Sequence, residues 1–433
     1  MKEFRVLSTS GILGYGFPEA SFRAGVAEKP DLIACDAGST DPGPYYLGSG
    51  HPFTNPTAVK RDLRLILKAI CELRIPMVIG SAGGSGADVH LERDLKIVHE
   101  IAEEEHLSFK MAVISAEFEK DFLIGELEAG HIEKLGPAPV VTKEDIECST
   151  HIVAQMGVDP IIQALDRGAQ VVYCGRCYDP AAFAAEPIRL GYDRALALHM
   201  GKILECAAIC ATPGSGSDCI MGYLGEDYFE VEPMNPERKC TPVSVSAHTL
   251  YEKSNPYILP GPGGHLDLSG CSFTAVSDRR VRVRGSKFVP EAVPSVKLEG
   301  TKQAGFRTIS VCGNRDPIFI SQVDEILEGL KERTTTNLSA DFDYTLNFIV
   351  YGKNGVMGDL EPLKETATHE IGIVIDAVAD SQEHANAVCA VARSTLLHYG
   401  YPGRIATAGN LAFPFSPSDI PVGPIYVFSI YAL

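Results

Sequence analysis

The chain has 433 residues, 45% of them hydrophobic, and a formal net charge of −18. That acidity argues against nucleic acid or an anionic membrane surface as partner, and no apolar run approaches the roughly 20 residues that cross a bilayer. The length predicts two or three domains. Twelve cysteines scattered through apolar segments read as buried small hydrophobes rather than a disulfide framework. Met1 to Leu7 enters a strand at once, with no room for a signal peptide, so the expected compartment is the cytoplasm.

A first strand over Phe4–Leu7 leads into a glycine-rich loop, 8–16, and a short helix from about Pro18. Leu32–Cys35 is a second strand. The stretch Asp36–Gly48 follows it and carries two carboxylates, two hydroxyls and two tyrosines between Gly and Pro. Asn55 or Thr54 can cap the next helix, with Pro56 in its first turn. Val59, Leu63, Ile66, Leu67, Ile70 and Leu73 recur there at helical period. Met77–Ile79 is a third strand, ending in Gly80–Gly86, and a helix with Leu91, Leu95, Val98 and Ile101 follows. Met111–Ile114, Ile152–Ala154 and Val171–Cys174 complete a set of short, continuously apolar strands separated by helices. That pattern predicts an α/β fold: a parallel sheet flanked by helices, with ligands at the carboxyl ends of the strands.

Beyond two further helices, the Pro- and Gly-rich texture from about 222 to 305 predicts an irregular strand-bearing insertion. Within it, from Asp278 to Arg307, eight basic residues meet three acids, which is a solvated strand face or an anion contact. A strand at Thr308–Val311 and a helix with Val323, Ile326, Leu327 and Leu330 precede a polar stretch, 331–341, expected to be a linker. The first domain is thus expected over 1–335. A smaller C-terminal α+β domain is expected over 342–433, with strands near 345–351, 371–378, 404–408 and 425–429.

Asp36 and Asp41 lie five apart in one loop. If they converge, one can be held protonated as general acid while the other acts as base. Together with Asp179 they make the candidate catalytic set, or the ligands of a divalent metal. The alternative is a tight turn in which Asp41 only caps Asp-Pro-Gly. Ser39 and Thr40 are candidate substrate contacts, as are Ser81, Gly83, Gly84, Ser85 and Gly86. Unpaired amides in that second loop would favour an anion, and Gly84→Val is expected to abolish binding without unfolding the chain. The loop lacks the Lys-Ser/Thr of a P-loop, and its broken glycine spacing speaks against NAD. Arg176 and Asn314-Arg315 occupy two similar loops, each ending in Asp-Pro, and suit a grip on a substrate carboxylate; an Arg–Asp brace is the alternative. Cys174-x-x-Cys177 lacks a second pair and is weak as a metal or redox motif.

The stretches Asp36–Gly48, Gly80–Gly86, Gly175–Pro180, Thr212–Asp218 and His398–Arg404 resemble the acyclic terpene utilisation family, the AtuA-like proteins. The resemblance implies catabolism of a branched acyclic carboxylate or its CoA thioester, by a lyase (hydratase) or an isomerase. It implies no settled catalytic residues. The alternative is a non-catalytic ligand-binding subunit supporting a partner enzyme of the same pathway. A homo-oligomer is expected, with a small partner subunit as a further option.

Overall fold

The computed structural model describes residues 2–338, 341–365 and 368–433. The chain forms two compact units, Met1–Lys302 with Phe428–Leu433, and Gln303–Val427. The first is built on strands β1 (Phe4–Ser8), β2 (Leu32–Asp36), β3 (Met77–Gly80), β4 (Met111–Ile114), β5 (His151–Ala154) and β6 (Val171–Cys174). Five of these lie side by side and parallel, in the order β1-β2-β3-β6-β4. Their apolar runs follow from that placement: all five residues of β2 are buried, because helices cover both faces of the sheet. The helix Pro56–Leu73 starts where Asn55 accepts a hydrogen bond from the Thr57 amide, and its stripe Val59, Leu63, Ile66, Leu67 and Ile70 packs with Ile33 and Ile79.

Two expectations about this sheet need correction. It is mixed rather than parallel: Ile220–Leu224, Phe229–Pro233, Val281–Arg284 and Ser272–Ala275 extend it antiparallel beyond β1. Part of the supposed insertion is therefore sheet. Its basic run is largely neutralised there, with Arg280 and Arg282 paired to Glu230, and Arg279 and Arg280 to Glu232. The alternation Val-Arg-Val-Arg is a half-solvated strand, with Val281 and Val283 fully buried. Second, β5 leaves the main sheet and pairs antiparallel with Leu298–Thr301. An apolar run announces a strand but not its partner.

In the second unit, Phe306–Asn314 and Tyr344–Tyr351 flank Ile371–Ala379 in an antiparallel sheet. The helices Val323–Leu338 and Gln382–Leu397 pack on it through Val323, Ile326, Leu330, Val388 and Leu396. The unit boundary thus lies earlier than residue 335, because the helix beginning at Val323 shares its core with Ile371 and Ile373. Residues 331–338 of the expected linker continue that helix, Asp341 is in a bend, and 339–340 lie outside the described residues. Residues 404–408 form no strand. Arg404 donates to the His398 and Ala408 carbonyls across that loop. No described helix is long and apolar enough to cross a membrane.

Candidate functional site

The parallel register sets Asp36 beside Gly80 at the ends of β2 and β3. The chain leaving β3 supplies Ser81, and the chain leaving β6 supplies Arg176, Cys177 and Asp179. Arg176 is 2% exposed and lies at the centre of a buried polar cluster. Its Nε donates to Glu299 Oε2 at 2.7 Å, and its Nη1 donates to the Cys177 carbonyl at 2.7 Å and to Asp179 Oδ1 at 3.1 Å. Ser81 Oγ accepts from the Cys177 amide and from Arg176 Nη1, both at 3.3 Å. Glu299 is also bound by Lys297 Nζ at 2.7 Å and by Thr40 Oγ1 at 2.9 Å. Burial pushes the Glu299 carboxyl up, but Arg176 and Lys297 outweigh it and hold it at about 2.

Asp36 shows the opposite balance. Its Oδ2 accepts from the Gly38 amide at 3.2 Å, whereas its Oδ1 is buried without a hydrogen-bond partner among the described residues. A Cβ at Gly80 would stand 3.0 Å from that oxygen, so the glycine keeps its surroundings open. Burial raises the Asp36 pKa well above the carboxylate range, Asp179 adds to the rise, and Arg176 only partly opposes it. Glu205, past the helix Arg194–Leu204, joins the same field. Burial, with Asp179 adding to it, raises it to about 8 against the pull of Lys202, which donates to its Oε1. Glu205 Oε2 likewise has no hydrogen-bond partner among the described residues. Two buried acids with raised pKa, Asp36 and Glu205, therefore lie in one electrostatic field with Asp179, which is paired to Arg176 and whose side chain is 23% exposed.

The other expected residues are placed differently. Asp41 is exposed and accepts from Ser39 Oγ at 2.7 Å, in a turn closed by the Gly43 amide on the Thr40 carbonyl. It makes no hydrogen bond with Asp36, and the turn holds it at the surface. Thr40 is buried and points into the cluster through Glu299.

The Gly80–Gly86 loop corrects the anion-cradle expectation. The Ser81 and Ala82 amides donate to the Gly175 and Cys174 carbonyls, Gly83 to Asp94 Oδ2, Gly84 to the Ser81 carbonyl and Gly86 to the Ala82 carbonyl. Of its five candidate contacts, Ser81 reaches the cluster through its hydroxyl, and Ser85 Oγ is buried without a partner. Gly83, Gly84 and Gly86 all have positive φ, and a Cβ at Gly86 would stand 2.1 Å from the Arg176 nitrogen. Gly84, at φ 102°, would meet Phe53 Cβ at 2.9 Å. Gly84→Val is therefore expected to destabilise the first unit by about 1–3 kcal/mol or more rather than to remove ligand binding alone. A thermal melt unchanged from wild type would refute this.

Arg176, expected to grip substrate, braces the loop instead, and Arg315 and Asn314 belong to the second unit. Cys174 and Cys177 are buried, and all twelve cysteines are free thiols. Among the described residues no group of three or more His, Cys, Asp or Glu side chains could hold a metal ion, so Asp36, Asp41 and Asp179 do not converge as ligands. Sequence reasoning missed Lys202, Glu205, Lys297 and Glu299. Lys202 and Glu205 left a signal, two charges three apart at the end of an otherwise apolar helix. Glu299, an acid within a basic run, left none.

A family model for the acyclic terpene utilisation family protein AtuA matches residues 54–218 and 231–414. The chain belongs to this family. The matched stretches of this AtuA family member contain Ser81, Arg176, Asp179, Lys202, Glu205 and Glu299, while β1, β2 and Asp36 precede them. No curated protein and no solved structure matches the chain.

Proposed function

We propose that the protein is a catabolic enzyme that hydrates or isomerises a conjugated double bond in a branched acyclic carboxylate or its CoA thioester. Membership of an acyclic terpene utilisation family supports the substrate class. The observation that carries the chemistry is Asp36, a buried carboxyl with an unpartnered oxygen, beside the more exposed carboxylate of Asp179. Carboxyl groups whose surroundings differ in this way divide into acid and base. In hydration, Asp179 takes a proton from water as its oxygen bonds to the β-carbon. Asp36 delivers a proton to the α-carbon, and water is consumed with no redox change. In isomerisation the same pair moves one proton between carbons. Ser81 and Arg176 hold Asp179 and the Cys177 backbone in place rather than touching substrate.

One observation favours a second reading, a ligand-binding subunit without catalysis. The cluster's guanidinium is already taken by Glu299 and Asp179 and is not presented to a substrate. Incubation with 3-methylbut-2-enoyl-CoA and the free acid in heavy water separates the readings. Deuterium at the α-carbon, with or without net addition of water, is expected for the enzyme. No exchange above the protein-free rate would leave the binding subunit.

A further inference from the structure

The second unit contains a groove of about 710 Å³, within the usual range for small-molecule sites. Val311, Ile371, Leu411 and Phe413 give it an apolar wall. Arg315 also lines it, is exposed, and among the described residues makes no hydrogen bond or ion pair. This differs from Arg176, although the two loops look alike in sequence. The carboxylate next to Arg315 is engaged elsewhere: Asp316 Oδ1 accepts from the Ile318 amide at 2.9 Å and Oδ2 from the Tyr401 hydroxyl at 2.6 Å.

The backbone carrying Arg315 is fixed on both sides. Asn314 Nδ2 donates to the Asn410 carbonyl at 2.7 Å, Asn314 Oδ1 accepts from the Asp316 amide at 2.7 Å, and Gly313 and Ala412 exchange hydrogen bonds at 2.8 and 2.9 Å. A rigid loop thus presents an unneutralised planar fork of donors beside an apolar surface, the chemistry that suits a carboxylate attached to a hydrocarbon chain. Glu370 also lines the groove, so Arg315 is the lining group with which an anion can pair.

We propose that this groove is a binding site for a carboxylate with an apolar tail, its head on Arg315 and its tail along Leu411 and Phe413. The site belongs to the second unit and does not rest on the acid–base reading of the first. Calorimetric titration of the full chain with octanoate, acetate and octylamine tests it. Octanoate should bind, with acetate at least tenfold weaker. Arg315→Gln should weaken octanoate at least tenfold, because a charge-assisted pair is removed. Arg315 is exposed and unpaired, so the variant is expected to fold. Glu370→Gln should bind octanoate as well as wild type or better. No heat with octanoate, unaltered affinity in Arg315→Gln, or preferential binding of octylamine would each overturn the proposal.

Discussion

Asp36→Asn is expected to lower turnover by at least about 10²-fold, the scale on which a general acid or base contributes, while the first unit stays folded. The carboxamide keeps the shape of the side chain and can still accept from the Gly38 amide, but it cannot release and recover a proton. Substrate affinity should change little. The same substitution makes a prediction about stability whose sign follows from burial. Burial in the folded state raises the Asp36 pKa well above that of an ordinary aspartate. The stability tied to its protonated form is complete below the unfolded pKa and is lost as pH rises through the folded one. Glu205 adds a loss of the same sign between its unfolded value, about 4.3, and its folded value of about 8. Wild-type melting temperature should therefore fall as pH rises across this window, and the Asn variant should fall less steeply. Wild-type turnover in the variant would remove Asp36 from the chemistry, and parallel melting curves would remove the burial argument.

Glu299→Ala is expected to be the most destabilising single change at the site, by about 3–5 kcal/mol, the usual result of stripping one partner from a buried ion pair. Glu299 is fully buried and serves Arg176, Lys297 and Thr40 together. Removing it leaves the Arg176 guanidinium, 2% exposed, with Asp179 as its remaining carboxylate. Chemical denaturation, following the transition of the first unit, measures the loss. A double substitution of Glu299 and Arg176 to apolar residues of similar size should recover part of it, because the desolvated charge goes as well. The pH dependence runs opposite to that of Asp36. Glu299 is held at about 2 in the folded chain, so its contribution is present above the unfolded value of about 4.3 and fades as pH falls through the folded one. A loss within about 1 kcal/mol of zero would show that Arg176 is not left as an uncompensated buried charge and would refute the argument.

Much of the architecture was legible in the residues alone. β1, β2, β3, β4 and β6 are short, mostly apolar runs between helical stripes; burial on both faces of a sheet requires that composition in β2, β3 and β6, while β4 keeps it at the sheet edge with Val113 exposed. Helix starts were equally local: Asn55 with Pro56, and Asp316 with Pro317, are caps whose hydrogen bonds reach only two residues along the chain. The loops at the strand ends were identifiable because glycine at positive φ and closing proline are properties of individual residues.

What the loops do was decided by the tertiary structure. Asp36 and Asp41 are the same residue type in one loop, and the apolar strand before Asp36 already set it apart as the drier one; the structure adds that Asp41 does not converge with it but caps an exposed turn with Ser39. Arg176 and Arg315 stand in similar loops, yet Glu299 neutralises the first, while the acid beside the second is engaged by Tyr401 and a helix cap. The amides of Gly80–Gly86 could have faced a ligand, but the end of β6 accepts from Ser81 and Ala82, Asp94 accepts from Gly83, and the loop's own carbonyls accept from Gly84 and Gly86. In each pair the residue type is the same. The difference is a partner brought in from a distant part of the chain, whose charge and exclusion of water set the protonation and reach of the side chain.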